Sequence, residues 1–520
     1  MPYLFLFHIG PVQSFIASAR RTRDLWFGSQ LLSDLSWTAA TYIADKYGPE
    51  ALIFPSFPTA ELQPQTGERN VSNKIVVLLD LEENGLTFAH AVKQSIVRRL
   101  HEIKEQLYRE LGAATFYKKT MDEQLEDCLE FFWVALPFPY EGNSNYAEVR
   151  KLLEAQMAAR KATYTYQPVI WGSTHHKSSI TGTLESVIPD EYYDRRQGNG
   201  VQEQSRIKRL YDAFHAGPAE HLSGIDLLKR RGHFPGTSHS HAFFLSTSYI
   251  AAQPYLERLK LLRGESKQSV KDAWNAYYTY IEHYLPTLGD ERIPPRVSLK
   301  SHPIIDLADG ALLFEEHLTE HANSDINILQ QASTLLNSFK SEVNKANAQK
   351  LEVDPYYAIV VADGDQIGKA IDSLASNAEG YKNHQLFSRQ LAQFADKVKQ
   401  IVRAQQGTPI YAGGDDVLAL VPLHTLLACT TQLADTFRAT LAEKLSDDIL
   451  PTLSIGVAII HHLSLLQESL ALARKAERAA KAVQGKNALA ILISKRSGEQ
   501  SIIKGPRQEI TAALQQYIEY

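Results

Sequence analysis

The chain has 520 residues, of which 54 are basic and 59 acidic, and a formal charge of −5 with its 18 histidines neutral, which excludes a generally basic nucleic-acid coat. At roughly 150 residues per domain the length predicts three or four units, and 44% apolar with 22% charged residues is an ordinary globular balance. Cys128 and Cys429 are too few for a disulfide framework or a Cys-rich zinc module, Met1 to His8 carries no basic leader, and no run of about 18 apolar residues occurs, so a cytoplasmic protein that does not span a membrane is expected.

Residues 3–9 form a short β-rich run ending at Gly10-Pro11, and a helical pattern follows through Ser14 to about Tyr47. Residues 52–54 and 74–79 read as strands around a Pro-rich loop, 89–111 as an amphipathic helix and 129–136 as a strand. The order is βαββαβ, a ferredoxin-like unit over residues 1–140. Residues 141–350 differ in kind. Helical stretches at 147–161 and 267–284 alternate with turn-rich segments around Gly172, Gly198, Gly217 and Gly236, which predicts a mostly helical insert. A helix over 325–350 leads to a boundary at Asp354-Pro355.

The first order of elements then returns over residues 351–495. A strand at 356–362 precedes a helical stretch at 366–402 that breaks near Asn377 to Gly380, and strands at 408–411 and 417–421 flank a Gly413-Gly414 turn. A helix at 425–444, a strand at 452–460, a helix at 465–483 and a strand at 488–493 complete the unit, leaving 496–520 as a short tail or helix. The expected fold class is therefore α+β: two ferredoxin-like (βαββαβ) domains, a pseudo-symmetric pair with a cleft between them, separated by the helical insert.

The strongest chemical signal is Tyr411-Ala-Gly413-Gly414-Asp415-Asp416-Val417 between two apolar strands. Glycine takes the positive φ that a two-residue hairpin requires, so the turn carries two adjacent carboxylates to the end of the sheet. The opening strand of the same unit ends in Asp363-Gly364-Asp365-Gln-Ile-Gly368-Lys369. Strands one and three of a ferredoxin-like sheet are neighbours, so Asp363 can meet Asp415 and Asp416. Such carboxylates repel by about 4 kcal/mol per close pair at an effective dielectric near 20, a conflict that a divalent cation resolves. All-oxygen donors suit Mg²⁺ or Mn²⁺, and a two-metal site implies nucleotidyl transfer from a triphosphate. A polar hairpin tip is the plainer alternative for the Gly-Gly-Asp-Asp run alone.

Arg474, Arg478 and Lys481 share one face of the following helix, and Lys486 sits at the turn into the last strand. They serve either as a solvated face or as counter-charge to a triphosphate. The first unit has His8-Ile9-Gly10 where the second has its acidic residues, so it is expected to bind rather than catalyse. Gly10-Pro-Val-Gln-Ser14 reads equally as a plain helix start or as a receiver for a phosphate or base.

Gly10-Pro-Val-Gln-Ser-Phe-Ile16, Ala19-Arg-Arg-Thr-Arg-Asp-Leu-Trp26, Gly28-Ser29 and Leu31-Leu-Ser33 resemble the first palm domain of the Cmr-type large subunit (Cas ten) of type III CRISPR effector complexes. Asp363 to Lys369 and Gly413 to Asp416 resemble its second palm, a relative of GGDEF nucleotide cyclases. The resemblance implies a subunit that joins ATP 3′ to 5′ into cyclic oligoadenylate when its complex, carrying guide crRNA, captures target RNA. Some relatives pass adenylate to a different acceptor. By position, Asp363, Asp415 and Asp416 would hold the metals, Lys481 and Lys486 would contact phosphates, and Ser14 would line a second nucleotide site. Gly364, Asp365, Lys369, Gly413 and Gly414 fall in the same nucleotide-binding motifs. ATP, guide crRNA, target RNA and the other subunits are the implied partners, with no membrane. A catalytically silent scaffold and a stand-alone GGDEF-type cyclase are the rival readings.

Three departures from the family pattern follow. No histidine is followed by Asp and the chain starts at the palm, so the HD nuclease activity of many relatives is expected to be missing. Where relatives carry zinc-binding cysteines, this chain reads Lys177-Ser-Ser-Ile-Thr-Gly182 and Glu220-His-Leu-Ser-Gly-Ile-Asp-Leu-Leu-Lys-Arg230, so an insert without zinc is expected, packed through Ile180, Leu222, Ile225, Leu227 and Leu228. His175, His176, His221, His233, His239 and His241 are the donors a rebuilt zinc site would use. Finally, the C-terminal helical domain of longer relatives is expected to be reduced.

Overall fold

The computed structural model describes residues 2–57, 71–80, 84–138, 146–163, 172, 174–193, 200–235, 245–285, 304–305, 310–321, 326–347, 350–376, 379–442, 445 and 449–519. The N-terminal part runs β1 (Pro2–Gly10), α1 (Gln13–Ala17), α2 (Thr22–Tyr47), β2 (Leu52–Phe54), β3 (Lys74–Asp80), α3 (Gly85–Leu111), α4 (Lys118–Glu126), β4 (Glu130–Pro137) and α5 (Tyr146–Ala162). Its strands form an antiparallel sheet in the order β2-β3-β1-β4. Side chains alternate across β1 as a strand requires: Phe5, Phe7 and Ile9 enter a core with α2 and α3, while Leu4 and Leu6 pack with Val76, Leu78 and the α5 residues Leu153 and Met157. The single helix expected from Ser14 to Tyr47 is broken at residues 18–21. The Asp24 carboxylate accepts the backbone N–H groups of Arg20 and Arg21, at 3.3 and 3.1 Å, and this starts α2 afresh.

The insert contains α6 (Gly200–Phe214), α7 (Gly224–Arg231), α8 (Thr247–Leu259), α9 (Gly264–Tyr284), α10 (Glu315–His321) and α11 (Ile326–Ala346). Trp274, Tyr277 and Phe339 lock α9 to α11. No helix among the described residues is long and apolar enough to cross a membrane. In the region of the missing cysteines, the Ser178 and Ser223 hydroxyls both donate to Asp226 Oδ2 at 2.6 Å, and Leu222, Leu227 and Leu228 are fully buried, with Ile180 and Ile225 partly so. His175 stacks on Tyr117, His176 and His221 lie ring to ring at 4.7 Å, and His233 pairs with Glu110. His239 and His241 lie outside the described residues.

The C-terminal part runs β5 (Tyr356–Asp365), α12 (Ile367–Ala375), α13 (Gly380–Ala404), β6 (Thr408–Gly413), β7 (Asp416–Val421), α14 (Leu426–Leu441), β8 (Thr452–His461), α15 (Leu466–Lys481), β9 (Ala488–Ser494), β10 (Gln500–Pro506) and α16 (Arg507–Glu519). The sheet order is β10-β9-β8-β5-β7-β6, so its first four strands by sequence repeat the neighbour relations of the N-terminal sheet. Only β8 and β9 run parallel. Where a short tail or helix is expected at 496–520, an edge strand, β10, precedes the helix α16. Lys495 N–H donates to Glu499 O and Gly498 takes φ +90°, which closes the β9–β10 hairpin.

The two sheets meet through β2 and α13. Gln385 Nε2 donates to the carbonyls of Glu50 and Leu52, at 2.8 and 2.9 Å, and Ser56 N–H donates to the Ser388 hydroxyl at 2.9 Å. The ties to Leu52 and Ser56 are buried, and together they fix how β2 lies against α13.

Candidate functional site

Antiparallel pairing of β5 with β7 sets Ala362 opposite Val417. Continued past the end of this ladder, the same register sets Asp363 toward Asp416 and, one residue further, Gly364 toward Asp415. The Asp363 side chain comes close enough to that of Asp416 to raise its carboxyl. A Cβ placed on Gly364 would lie 2.8 Å from Asp415 Cβ, so the glycine admits the hairpin tip to the strand. The two acidic motifs separated in sequence thus converge at one end of the sheet.

The hairpin differs from the expected Gly413-Gly414 turn. Gly413 pairs with Asp416 as part of the ladder, and Gly414 and Asp415 form the two-residue loop. Only Gly414 needs a positive φ, +70°. Gly413 is required for another reason: the Tyr411 side chain folds over it, and a Cβ there would fall 2.0 Å from the Tyr411 hydroxyl oxygen.

The electrostatics follow from this crowding. Burial and the charge of Asp363 push the Asp415 carboxyl up to about 6. Burial, then the charges of Asp415 and Asp363, push Asp416 well above the usual carboxylate range. Asp416 keeps a solvent-exposed face at the start of β7, so its burial acts only in part and the neighbouring charges carry the upward push. Burial and then Asp363 also raise Glu477 on α15.

Asp365 has a different role from Asp363. It is 1% exposed, and its Oδ2 accepts from the Thr452 and Ser454 hydroxyls, both at 2.8 Å, and from Asn487 N–H at 3.1 Å. Its Oδ1 is buried without a hydrogen-bond partner, 3.6 Å from Lys481 Nζ. Asp365 therefore ties β5 to β8 and to the loop after α15.

Lys481 pairs directly with Asp363 and donates to the Gly364 carbonyl at 2.8 Å. Although burial opposes its charge, Asp363 and Asp365 raise its pKa, so it stays an ammonium. Lys486 is not turned toward the carboxylates: with φ +60° it folds back and donates to the Lys481 carbonyl, closing the end of α15. Lys369 is exposed on the first turn of α12 and makes no ion pair among the described residues. Ser14 is exposed on α1, which touches α15 across the junction of the two units.

The residues the motif reading missed are Thr452, Ser454 and Asn487, which hold Asp365, and Phe54, whose ring edge comes within 3.9 Å of a Cβ placed on Gly414. Alternating hydroxyls within β8 are a readable signal. Phe54 belongs to the other unit and had none.

The donor set is all oxygen, with two carboxyls forced toward protonation and one orphaned buried oxygen, which suits a hard divalent cation. No group of three His, Cys, Asp or Glu side chains among the described residues is arranged as a metal cage. In this arrangement the Lys481 ammonium supplies the positive charge against Asp363.

Residues 356–490 match the family described as Cas10/Cmr2, second palm domain, and residues 4–107 match that described as CRISPR-associated protein Cmr2, N-terminal. The CRISPR system Cmr subunit Cmr2 of Pyrococcus furiosus is 25% identical over 96% of this chain, which spans 62% of that relative's length. Two solved structures share the fold. One is a type III-B Cmr-beta apo state (TM-score 0.64, 14% identity) and the other is the Cmr-beta bound to cognate target RNA (TM-score 0.63, 15% identity). Each covers 96% of this chain, and the chain covers 70% and 71% of theirs.

Proposed function

Because the chain belongs to the Cas10/Cmr2 family of large subunits, we propose that it serves in a type III CRISPR effector complex and, on capture of target RNA, joins ATP 3′ to 5′ into cyclic oligoadenylate. Both sheets are read as ferredoxin-like palms, the second catalytic and the first binding. The partners are ATP, guide crRNA, target RNA and neighbouring subunits, and the setting is the cytoplasm. No HD nuclease centre is assigned to the chain. The observation that carries this reading is the convergence of Asp363 with Asp415 and Asp416, with two of these carboxyls lifted in pKa. A palm kept only as a fold gains nothing from such mutual repulsion.

Asp363, Asp415 and Asp416 would hold Mg²⁺ or Mn²⁺, which when bound supplies Lewis-acid stabilisation of the displaced diphosphate and activation of the attacking hydroxyl. Lys481 keeps a fixed positive charge beside the carboxylates, where a polyphosphate tail needs one. Asp365, locked by Thr452, Ser454 and Asn487, holds the β5 end rigid so that Asp363 meets the hairpin in one geometry. Gly413 and Gly414 keep the hairpin tip narrow, and Ser14 offers a hydroxyl from the first palm.

The pairing of Lys481 with Asp363 favours a second reading, in which the palm is a silent scaffold neutralised from within. One experiment separates the two. The chain is assembled with its partner subunits, guide and matching target RNA, then incubated with labelled ATP and Mg²⁺ or Mn²⁺, and the products are weighed. Cyclic oligoadenylate supports the proposal, an adenylate conjugate supports transfer to another acceptor, and unchanged ATP with both metals supports the scaffold.

A further inference from the structure

A second charged feature lies apart from the acidic site. Between α15 and the β9–β10 hairpin runs a groove of about 690 Å³, lined by Lys475, Arg478, Lys495 and Arg496 against a single acidic lining residue, Glu468. Ala471 and Leu472 add apolar surface to its lining. The overall charge of −5 hides this local excess of cations.

The cations are not consumed by the fold. Lys475 and Arg478 are exposed, and Lys475 meets only the neutral Gln500 amide. Arg478 makes no ion pair among the described residues. Lys495 pairs with Glu499 within the hairpin, and Arg496 approaches Glu316 at 3.8 Å, both at exposed sites where such pairs are weak. The start of α15 opens into the same groove through Ser464 and Glu468, adding the partial positive charge of a helix N-terminus.

Two chain segments contribute these cations: Lys475 and Arg478 come from α15, and Lys495 and Arg496 from the turn after β9. They therefore stand on both sides of the groove, one pair on the helix and one on the hairpin turn. Cations on both sides of an open groove, with apolar side chains between them, match a chain of phosphates with bases or riboses laid against the apolar lining. We infer that this groove binds the phosphodiester backbone of single-stranded RNA, without reading its sequence. The site stands apart from the nucleotide-joining reading and survives its failure.

The full chain is titrated with a short oligouridylate bearing 4-thiouridine, with crosslinked peptides mapped by mass spectrometry and affinity followed over a salt series. Crosslinks within residues 461–500 are expected. Lys475→Glu with Arg496→Glu, both at exposed positions, should remove those crosslinks and weaken binding about tenfold or more. It should also flatten the salt dependence by about 1.4, since each single-strand phosphate contact contributes about 0.7 to the slope. Crosslinks that map elsewhere overturn the assignment, as do crosslinks unchanged in the variant. Equal competition by poly-glutamate also overturns it, because the groove would then be a site for acidic protein. Lys475→Gln with Arg496→Gln, which avoids introduced repulsion, should show the same loss of crosslinks.

Discussion

Gly364 and Asp415 lie so close that a methyl group on the glycine would fall 2.8 Å from Asp415 Cβ, and 2.7 Å from Ile367 Cγ1. Neither neighbour is free to move, since one is the hairpin tip and the other is the first residue of α12. Gly364→Ala is therefore expected to cost about 1–3 kcal/mol, the range for inserting a group into packed surroundings. It should also lower nucleotide joining by at least about tenfold, because a shift near 1 Å in a catalytic pair can cost more than that. Urea unfolding and product yield measure both, and an unchanged midpoint with full activity would mean that the motifs do not approach as described.

The raised carboxyls predict an inverted pH dependence. A group whose folded pKa is raised holds its proton longer in the folded state, so its stabilising contribution is complete below the unfolded value of 3.8 and is lost as pH climbs through about 6. For Asp415 this lift corresponds to about 3 kcal/mol at ~1.4 kcal/mol per pH unit, shared with the neighbouring Asp416. In EDTA at neutral pH, Asp415→Asn is expected to melt above the parent chain, with the difference vanishing near pH 4. Mg²⁺ should raise the parent's melting temperature and not the variant's. A variant that melts lower at every pH would refute the repulsion.

Substituting Asn at both Asp415 and Asp416 is expected to abolish oligoadenylate formation while complex assembly, measured by size exclusion with the partner subunits, is retained. Both residues sit at a hairpin tip whose ladder, from Gly413↔Asp416 inward, does not depend on their charge. Full ATP turnover in the double variant would remove these carboxylates from the chemistry.

The strands 52–54 and 74–79 were legible because apolar alternation and flanking turns are local properties, and Asp363, Asp415 and Asp416 were legible because they sit in compact motifs. The split between α1 and α2 was not, since Asp24 caps from within a helical pattern. The contact of Lys486 with the Lys481 carbonyl was not legible either, because spacing places a side chain near a site but does not show which group it meets. β10 was missed although Ser497-Gly498 before Ile502-Ile503 is a usable hairpin signal. The nearness of Phe54 to the Gly413–Asp416 turn depends on how one unit seats on the other, and no local pattern encodes that.

The hydroxyl knot around Asp226 predicts how the insert manages without thiolates. Ser178 and Ser223 both donate to one carboxylate oxygen in a buried setting, and Asp226 also accepts the Ser223 N–H at 3.0 Å. Asp226→Ala strands these donors and is expected to cost about 1–3 kcal/mol. Exhaustive EDTA dialysis of the untagged parent should leave its melting temperature unchanged. About one zinc per chain retained through that dialysis would show instead that histidines rebuild a metal site.

Arg230 predicts the largest single loss outside the acidic site. It is 1% exposed and lies between two buried carboxylates, donating to both oxygens of Asp24 at 2.6 and 2.8 Å and to both oxygens of Glu220 at 3.2 Å. Burial alone would raise those carboxyls, but Arg230 holds both below their ordinary values, so they stay charged. Arg230→Met removes the main counter-charge of two buried carboxylates, leaving the more exposed Arg21 beside Glu220 at 3.0 Å, and is expected to cost about 3–5 kcal/mol. The pH profile separates this from simple loss of packing. In the parent, carboxyls with depressed pKa contribute stability above their unfolded values of 3.8 and 4.5, and that contribution is lost as pH falls through them. In the variant the same groups escape their penalty by taking up protons, so the gap between parent and variant should be widest at neutral pH and should narrow toward pH 4. Adding Asp24→Asn and Glu220→Gln to Arg230→Met should recover part of the loss at pH 7. A gap that is constant from pH 7 to pH 4 would assign the cost to the missing side-chain volume and leave the charge network without an energetic role.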